Sequence, residues 1–202
     1  LVPNDGTYAS ALTLAGTLTS GNFSFNTSHY NGLRINNMST VGGLTIGRTE
    51  ELLNNSSPMA FSNSSNVTIS SALSIAGPIS VYGGNIFAQQ NLTSTLSGAA
   101  ILLQATGYID VSASDIIQTS NGNITLRANS GGTAVVLPDA TTGAITLNSG
   151  SSLLSNGGNI TLGGNFDGTK GSGLYAASAR VNGAPGILID NATLNAGGNN
   201  SG

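Results

Sequence analysis

One five-residue motif recurs along the chain and limits the folds that the chain can adopt. The motif is Gly-x-Ile-x-Val/Leu, and its copies occupy residues 77–81, 107–111, 122–126, 143–147 and 158–162. In each copy the isoleucine and the last aliphatic residue are two positions apart, so both point to the same side of a β-strand. Turn-forming Gly, Asn and Ser residues lie between the copies. The pattern predicts strands of about three to five residues that are apolar on one face.

Strands this short cannot bury an apolar face alone, but they can do so when successive coils of the chain stack. The step between the motif glycines at 107 and 143 recurs between those at 122 and 158, and another motif glycine lies inside each step. The recurring step therefore predicts two units of roughly 18 residues each. We expect an all-β fold, a parallel β-helix (β-solenoid) with coils of about 15 to 21 residues and Gly/Asn-rich turns. About eight to ten coils would form a rod about 40 to 50 Å long. The main alternative, an antiparallel β-sandwich, does not explain the repeat.

In-register stacking of the motif copies predicts two interior ladders and one exposed row. The first ladder contains the motif isoleucines Ile109, Ile124, Ile145 and Ile160. The second ladder contains the aliphatic residues two positions later, which are Val111, Leu126, Leu147 and Leu162. The residues between the two ladders would face solvent, and they are Asp110, Thr125, Thr146 and Thr161.

The composition favours strands and turns over helices. Gly, Asn, Ser and Thr make up 101 of the 202 residues, and all four are poor helix formers. Charged residues are only 6% of the chain, too few and too scattered to form a surface for nucleic acid or anionic lipid. The absence of Cys and the presence of a single His exclude a disulfide framework and the usual zinc sites. We expect no nucleic-acid partner, no membrane insertion and no cofactor.

The chain divides into a less regular and a more regular part. Residues 66–202 contain the motif copies, and we expect regular β-helix repeats there. Residues 1–65 alternate less clearly, and we expect less regular N-terminal solenoid coils there, with either wider coils or an extra-helical loop over residues 50–57. Because the sequence begins with Leu1 and not with Met, we expect it to be a piece of a longer protein whose targeting signals lie elsewhere.

Several segments resemble the repeat shaft of filamentous-haemagglutinin-like exoproteins of two-partner secretion, which include bacterial surface adhesins. The resemblance rests on the Gly-Asn-Ile-Thr-Leu copies and on residues 157–165 and 180–194, and it covers roughly residues 66–202. It implies a right-handed parallel β-helix that crosses the outer membrane unfolded with the help of a secretion partner and is then secreted or displayed at the bacterial cell surface. The Asn-Pro-Asn type motif of the family's secretion domain is absent, so the chain is either a piece downstream of that domain or part of another secreted β-helix class, such as an autotransporter passenger.

Carboxylates decide whether the chain could be a carbohydrate-active enzyme. Glycoside hydrolysis commonly needs two carboxylates about 5 to 9.5 Å apart. Asp110 and Asp115 flank a predicted bend and are the pair that could approach each other, although no basic residue lies near them in sequence. Glu50 and Glu51 are more typical of a polar loop. We predict no catalytic residue.

The remaining candidates for chemistry are isolated. His29 lies in a polar stretch without a motif that would pair it with a nucleophile. Residues 165–171 are faintly similar to a calcium loop but lack the carboxylates that give such loops their affinity. Phosphate-binding loops and nucleophile elbows are absent. The sequence therefore predicts no metal site and no cofactor-binding site.

Asn-x-Ser/Thr sequons are over-represented. The chain has twelve, whereas random placement of these residue types gives roughly six. They begin at Asn22, Asn26, Asn37, Asn54, Asn55, Asn63, Asn66, Asn91, Asn123, Asn159, Asn191 and Asn199. The strand motif itself explains some of the excess, and glycosylation of a bacterial adhesin is the alternative explanation, which an intact-mass measurement would test.

We therefore expect a non-enzymatic segment of a secreted bacterial surface adhesin, a rigid β-helical shaft that contributes to attachment to host cells or to other bacteria. Its expected partner is a receptor or glycan on those cells, contacted through exposed Thr, Asn and Ser rows or through loops of the first third of the chain. The second hypothesis is a carbohydrate-active β-helix, either a polysaccharide lyase or a glycoside hydrolase. A third hypothesis, an ice-binding solenoid, requires regular outward Thr ranks, which Ser80 and Asp110 interrupt.

Overall fold

The chain forms only strands, turns and irregular segments in the part that the structure describes. The structure is a computed structural model, and it describes residues 12–14 (backbone only), 42–46, 66–105, 107–128, 144–163 and 186–197. These residues form sixteen strands and no helix. The first eight strands are β1 (Leu12–Leu14), β2 (Leu44–Ile46), β3 (Val67–Ile69), β4 (Leu73–Ile75), β5 (Ile79–Gly83), β6 (Ile86–Ala88), β7 (Leu92–Ser97) and β8 (Ile101–Ala105). The other eight are β9 (Ile109–Val111), β10 (Ile116–Ser120), β11 (Ile124–Arg127), β12 (Ile145–Leu147), β13 (Ser152–Leu154), β14 (Ile160–Gly163), β15 (Ile187–Ile189) and β16 (Thr193–Asn195).

The strands form three sheets, and from β3 onward consecutive strands join the three sheets in turn. Sheet 1 has the order β1-β3-β6-β9-β12-β15, sheet 2 has the order β4-β7-β10-β13-β16, and sheet 3 has the order β2-β5-β8-β11-β14. Every strand pairing among the described residues is parallel. Each coil from β3 onward therefore gives one strand to each sheet. This is a three-sided parallel β-helix, and the predicted fold class is confirmed.

The later coils are longer than the sequence predicts. In sheet 1, Val67 pairs with Ile86, Ile86 pairs with Ile109, and Ile109 pairs with Ile145. The step from 67 to 86 lies within the predicted range, whereas the steps from 86 to 109 and from 109 to 145 exceed it. The step from 109 to 145 is thus one coil and not two units, so the prediction of coils of about 15 to 21 residues is wrong. A coil needs three strands and three turns, whereas the prediction gave each motif copy a coil of its own.

The motif copies lie on two different sheets, so the predicted single ladders and the single exposed row are also wrong. Ile109 pairs with Ile145 in sheet 1, whereas Ile124 pairs with Ile160 in sheet 3. The other predicted sets divide in the same way: Val111 with Leu147 and Asp110 with Thr146 in sheet 1, and Leu126 with Leu162 and Thr125 with Thr161 in sheet 3. Stacking in register is correct, but it occurs separately within each sheet.

Alternation within the strands builds the predicted apolar interior. Ile109, Ile145 and Leu126 are completely buried, and burial of such a side chain stabilises the fold by about 1.5–3 kcal/mol. Ile160 and Leu162 pack against the same core but are only partly buried. Both belong to β14, which lies at the edge of the described part of sheet 3. The inward direction of the motif's aliphatic residues therefore agrees with the alternation in the sequence.

The last described rung exposes positions that are interior in the coil before it. Ile189 pairs with Leu147, and Leu194 pairs with Leu153. Ile189 is 47% exposed and Leu194 is 39% exposed, although both partners are completely buried. In the described part of the chain, β15 and β16 each have a strand neighbour on one side only. These two positions continue the apolar columns of sheets 1 and 2 to the last described strands.

Two strands from the less regular part of the sequence, residues 1–65, belong to the same stack. Leu12 of β1 pairs with Val67 in sheet 1, and Leu44 of β2 pairs with Ile79 in sheet 3. The predicted extra-helical loop over residues 50–57 lies outside the described residues.

Candidate functional site

Asparagines in the turns connect neighbouring coils. The side-chain Oδ1 of Asn66 accepts a hydrogen bond from the backbone N–H of Asn85 at 3.1 Å. Oδ1 of Asn123 accepts one from the backbone N–H of Asn159 at 2.9 Å. Oδ1 of Asn91 accepts one from the backbone N–H of Ile116, in the next coil, at 2.8 Å. These bonds extend the backbone ladders into the turns, where main-chain groups otherwise lack strand partners.

The same asparagines explain part of the sequon excess. Asn66, Asn91 and Asn123 each begin a predicted sequon, and each immediately precedes a strand. The Thr two positions later falls on the outward face of that strand, because side chains alternate. The turn bonds therefore account for Asn, and strand alternation places the apolar residue inward and Thr outward. Glycosylation stays the alternative explanation for the rest of the excess.

A polar groove runs along the outer side of sheet 2 and its following corner. It has a volume of about 910 Å³. Its lining includes Thr93, Gln118, Ser120, Asn121 and Asn156, which come from three successive coils. Thr93 and Gln118 are register neighbours on β7 and β10, so their outward side chains lie about 5 Å apart along the sheet. The groove is the candidate functional site.

Buried hydroxyl groups form the inner wall beneath the groove. Ser94 and Thr119 are register neighbours at inward positions, and both are 1% exposed. Ser94 Oγ donates a hydrogen bond to the carbonyl oxygen of Gly77 at 2.8 Å. Thr119 Oγ1 lies 2.6 Å from the carbonyl oxygen of Gly122 and 3.1 Å from that of Ser155. Each buried hydroxyl therefore has a backbone carbonyl as its hydrogen-bond partner.

A bulge of β7 forms one lip of the groove. Thr119 lies opposite Ser94, but the next residue, Ser120, lies opposite Ser97. The extra residues of β7, which include Leu96, are therefore displaced outward, as in a β-bulge. Leu96 is 51% exposed. Gly98 follows with φ of +77°, which favours glycine, and its N–H donates to the carbonyl oxygen of Ser120 at 2.8 Å.

Two asparagines with left-handed backbone form the opposite lip. Asn121 has φ of +64° and Asn156 has φ of +49°, a region that Asn tolerates better than most residues. Nδ2 of Asn156 donates a hydrogen bond to the carbonyl oxygen of Thr119 at 2.6 Å, which connects the two coils. A Cβ atom on Gly157 would clash with Oδ1 of Asn121. Glycine at position 157 therefore leaves room for the Asn121 carboxamide.

Asp110 and Asp115, the two carboxylates considered in the sequence, have different surroundings in the structure. Asp110 lies on the outer face of β9, and Nδ2 of Asn148 donates to its two carboxylate oxygens at 3.2 and 3.3 Å. Asp115 lies in the turn before β10, and burial raises the pKa of its carboxyl above the ordinary value of 3.8. Neither side chain lines the groove. The other sequence candidates, His29, Glu50, Glu51 and residues 165–171, lie outside the described residues.

Sequence reasoning missed the groove, because its residues are ordinary Ser, Thr, Asn and Gln from different coils. In the ranges that the structure describes, no three His, Cys, Asp or Glu side chains are grouped so that they could hold a metal ion. The same ranges contain no helix that is long and apolar enough to cross a membrane. Comparisons with protein-family models, with curated proteins and with solved structures found no match to this chain.

Proposed function

We propose that this chain is a non-enzymatic shaft segment of a secreted bacterial surface adhesin, and that it contributes to attachment to host cells or to other bacteria. The observation that supports the proposal is the in-register stacking of three parallel sheets around one apolar interior. A stack of this kind is quasi-one-dimensional, so it lengthens by adding coils while its cross-section stays the same. That property suits a protein that must hold a binding surface away from a cell.

Rigidity of such a shaft comes from three kinds of contact between coils. Backbone ladders join the strands within each sheet, and the turn asparagines add side-chain bonds between coils. The third contact is the apolar interior, in which residues such as Ile86 and Ile109 are completely buried. Proteases cleave chains that open locally. We therefore expect the described coils to resist proteolysis.

The outer faces of the coils favour binding through many polar contacts. Thr68, Thr93 and Thr125 project outward from sheets 1, 2 and 3, respectively. Among the described residues that line the groove, all but Gly157 and Ala196 carry a hydroxyl or carboxamide group, and none carries an ionisable side chain. A surface of this chemistry suits a receptor or glycan on another cell, held by hydrogen bonds.

Attachment of coated beads tests the proposal. Beads carrying the folded chain should attach to cultured epithelial cells or to bacteria more often than beads carrying the same chain after thermal unfolding. The unfolded chain is the matched control, because its composition and charge are identical. If both kinds of bead attach equally, or if neither exceeds albumin-coated beads, the adhesive function is wrong.

A further inference from the structure

We propose that the groove along sheet 2 binds a neutral oligosaccharide. This inference rests on the proposed adhesive function and names the ligand class of its candidate site. Among the described residues, the fold leaves several hydrogen-bonding side chains of the groove without a partner. The side chains of Thr93, Gln118, Ser120 and Asn121 line the groove, and within the described part of the chain they make no hydrogen bond to another residue.

These four side chains present both donors and acceptors. A hydroxyl group has one donor and two acceptor lone pairs, and a carboxamide has two donors and an acceptor oxygen. A sugar hydroxyl also donates and accepts hydrogen bonds. Each of the four side chains can therefore donate a hydrogen bond to a sugar hydroxyl or accept one from it. Thr93 and Gln118 lie on adjacent strands in register, about 5 Å apart. This spacing is comparable to the width of one sugar ring.

Charge argues against an acidic ligand. The lining residues of the groove include no Lys, Arg or His. Within the described ranges the only such residue is Arg127, which lies in sheet 3 and not in the groove. An anionic sugar would lose its hydration on entering the groove without meeting a cation. The lining therefore favours an uncharged ligand.

The bulge of β7 adds one more hydroxyl residue to the groove. Thr95 lines the groove, whereas the next residue, Leu96, is 51% exposed and is not part of the lining. Thr95 Oγ1 is 3.3 Å from the carbonyl oxygen of Ile75, and this hydrogen bond holds the base of the bulge against the neighbouring coil. The bulge therefore contributes Thr95, held in place by this bond, to the lining of the groove.

The fold keeps the groove formed before any ligand arrives. The inner hydroxyls of Ser94 and Thr119 already bond to backbone carbonyls, and Asn156 already bonds to the coil below. These contacts fix the strands that carry Thr93 and Gln118. A preformed site loses less conformational entropy on binding than a flexible one.

The test uses a printed array of neutral, sialylated and sulfated oligosaccharides together with a panel of extended peptides. The folded chain should bind neutral oligosaccharides and should not require an acidic group. The double variant Thr93→Ala/Gln118→Ala should bind the same sugars roughly tenfold more weakly, because two hydrogen-bonding side chains are lost. Ser74→Ala is the matched control, since Ser74 is the register neighbour of Thr93 on β4 but lies outside the groove. Urea unfolding midpoints of both variants should equal that of the wild type.

Four outcomes would overturn the inference: binding only to acidic sugars, binding only to peptides, no binding to neutral sugars, or equal binding by the wild type and the double variant. Bead attachment separates this inference from the proposed function. If the array shows no binding to neutral sugars, or equal binding by the wild type and Thr93→Ala/Gln118→Ala, while beads carrying the folded chain attach to cells, the groove inference is wrong while the adhesive function stands. If the chain binds neutral sugars but its beads attach to no cell, the adhesive function is wrong while the groove inference stands.

Discussion

Ile124 pairs with Ile160 in parallel register in sheet 3, although the two residues lie far apart in sequence. They belong to the two Gly-Asn-Ile-Thr-Leu copies of the chain. Between them the chain passes through sheets 1 and 2 before it returns to sheet 3. One full coil therefore lies between the two copies, and the identical residues stack because identical shapes pack well in adjacent rungs.

Truncation of an interior isoleucine should destabilise the stack. Ile124 is completely buried, so Ile124→Ala should lower the free energy of unfolding by about 2–5 kcal/mol, from lost burial and the remaining cavity. Thr125→Ala is the control, because Thr125 lies one position along the same strand and faces outward. Its effect should stay within about 0.5 kcal/mol. Urea denaturation followed by circular dichroism measures both variants, and equal effects would contradict the assigned faces.

Glycines at the corner before sheet 3 should resist substitution. A Cβ atom on Gly158 would overlap the carbonyl oxygen of Gly122 in the coil below. Gly158→Ala should therefore lower the free energy of unfolding by about 1–3 kcal/mol through steric strain. Gly42→Ala is the matched control, since a Cβ atom there meets nothing within 4 Å. Thermal unfolding of the two variants compares them directly, and a tolerated Gly158→Ala would mean that the corners are not in van der Waals contact.

The turn asparagines should protect specific amides. Oδ1 of Asn123 accepts a hydrogen bond from the backbone N–H of Asn159. Asn123→Ala should speed hydrogen exchange at the Asn159 amide and cost about 0.5–1.5 kcal/mol of stability. Asn123→Asp keeps an acceptor oxygen at the same place and should preserve the protection. Amide exchange measured by NMR distinguishes the two variants, and unchanged exchange in Asn123→Ala would contradict the hydrogen bond between Asn123 and Asn159.

Stability should depend on pH through Asp115. Burial raises the pKa of this carboxyl in the folded chain above its ordinary value of 3.8. As pH rises through 3.8 the unfolded chain releases the proton first, so the folded chain loses relative stability until pH passes the raised value. Asp115→Asn removes this loss. The free energy of unfolding of the variant, relative to that of the wild type, should therefore be higher at neutral pH than at pH about 3. Urea denaturation at the two pH values gives the comparison, and a more favourable effect at the lower pH would contradict the assigned direction.

The parallel β-helix was predictable because the motif carries two independent signals. Alternation of Ile124 and Leu126 around Thr125 indicates a strand, and recurrence of the motif indicates stacking. Both signals come from burial in sheets 1 and 3, where two inward aliphatic residues flank one outward residue. The inward direction of these residues could therefore be assigned from the sequence.

The number of strands in a coil was not predictable, because the strands of sheet 2 lack the motif. The second inward position is a hydroxyl residue in two of them, Ser94 in β7 and Thr119 in β10, whereas β4 has Ile75 there. These residues are buried because their hydroxyls bond to turn carbonyls, and a search for aliphatic alternation overlooks them. The groove was missed for the same reason. A pattern of one aliphatic residue followed two positions later by Ser or Thr is the signal that could have found sheet 2.

Cysteine crosslinking tests the stacking most directly, because the chain has no native Cys. Thr125 and Thr161 are register neighbours on the outer face of sheet 3, with Cα atoms about 5 Å apart, a distance that a disulfide spans. Thr125→Cys with Thr161→Cys should form a disulfide under mild oxidation, which non-reducing electrophoresis detects as a mobility shift. Thr125→Cys with Thr146→Cys should not, since these two residues lie in different sheets. Crosslinking of the second pair and not of the first would contradict the three-sheet stack.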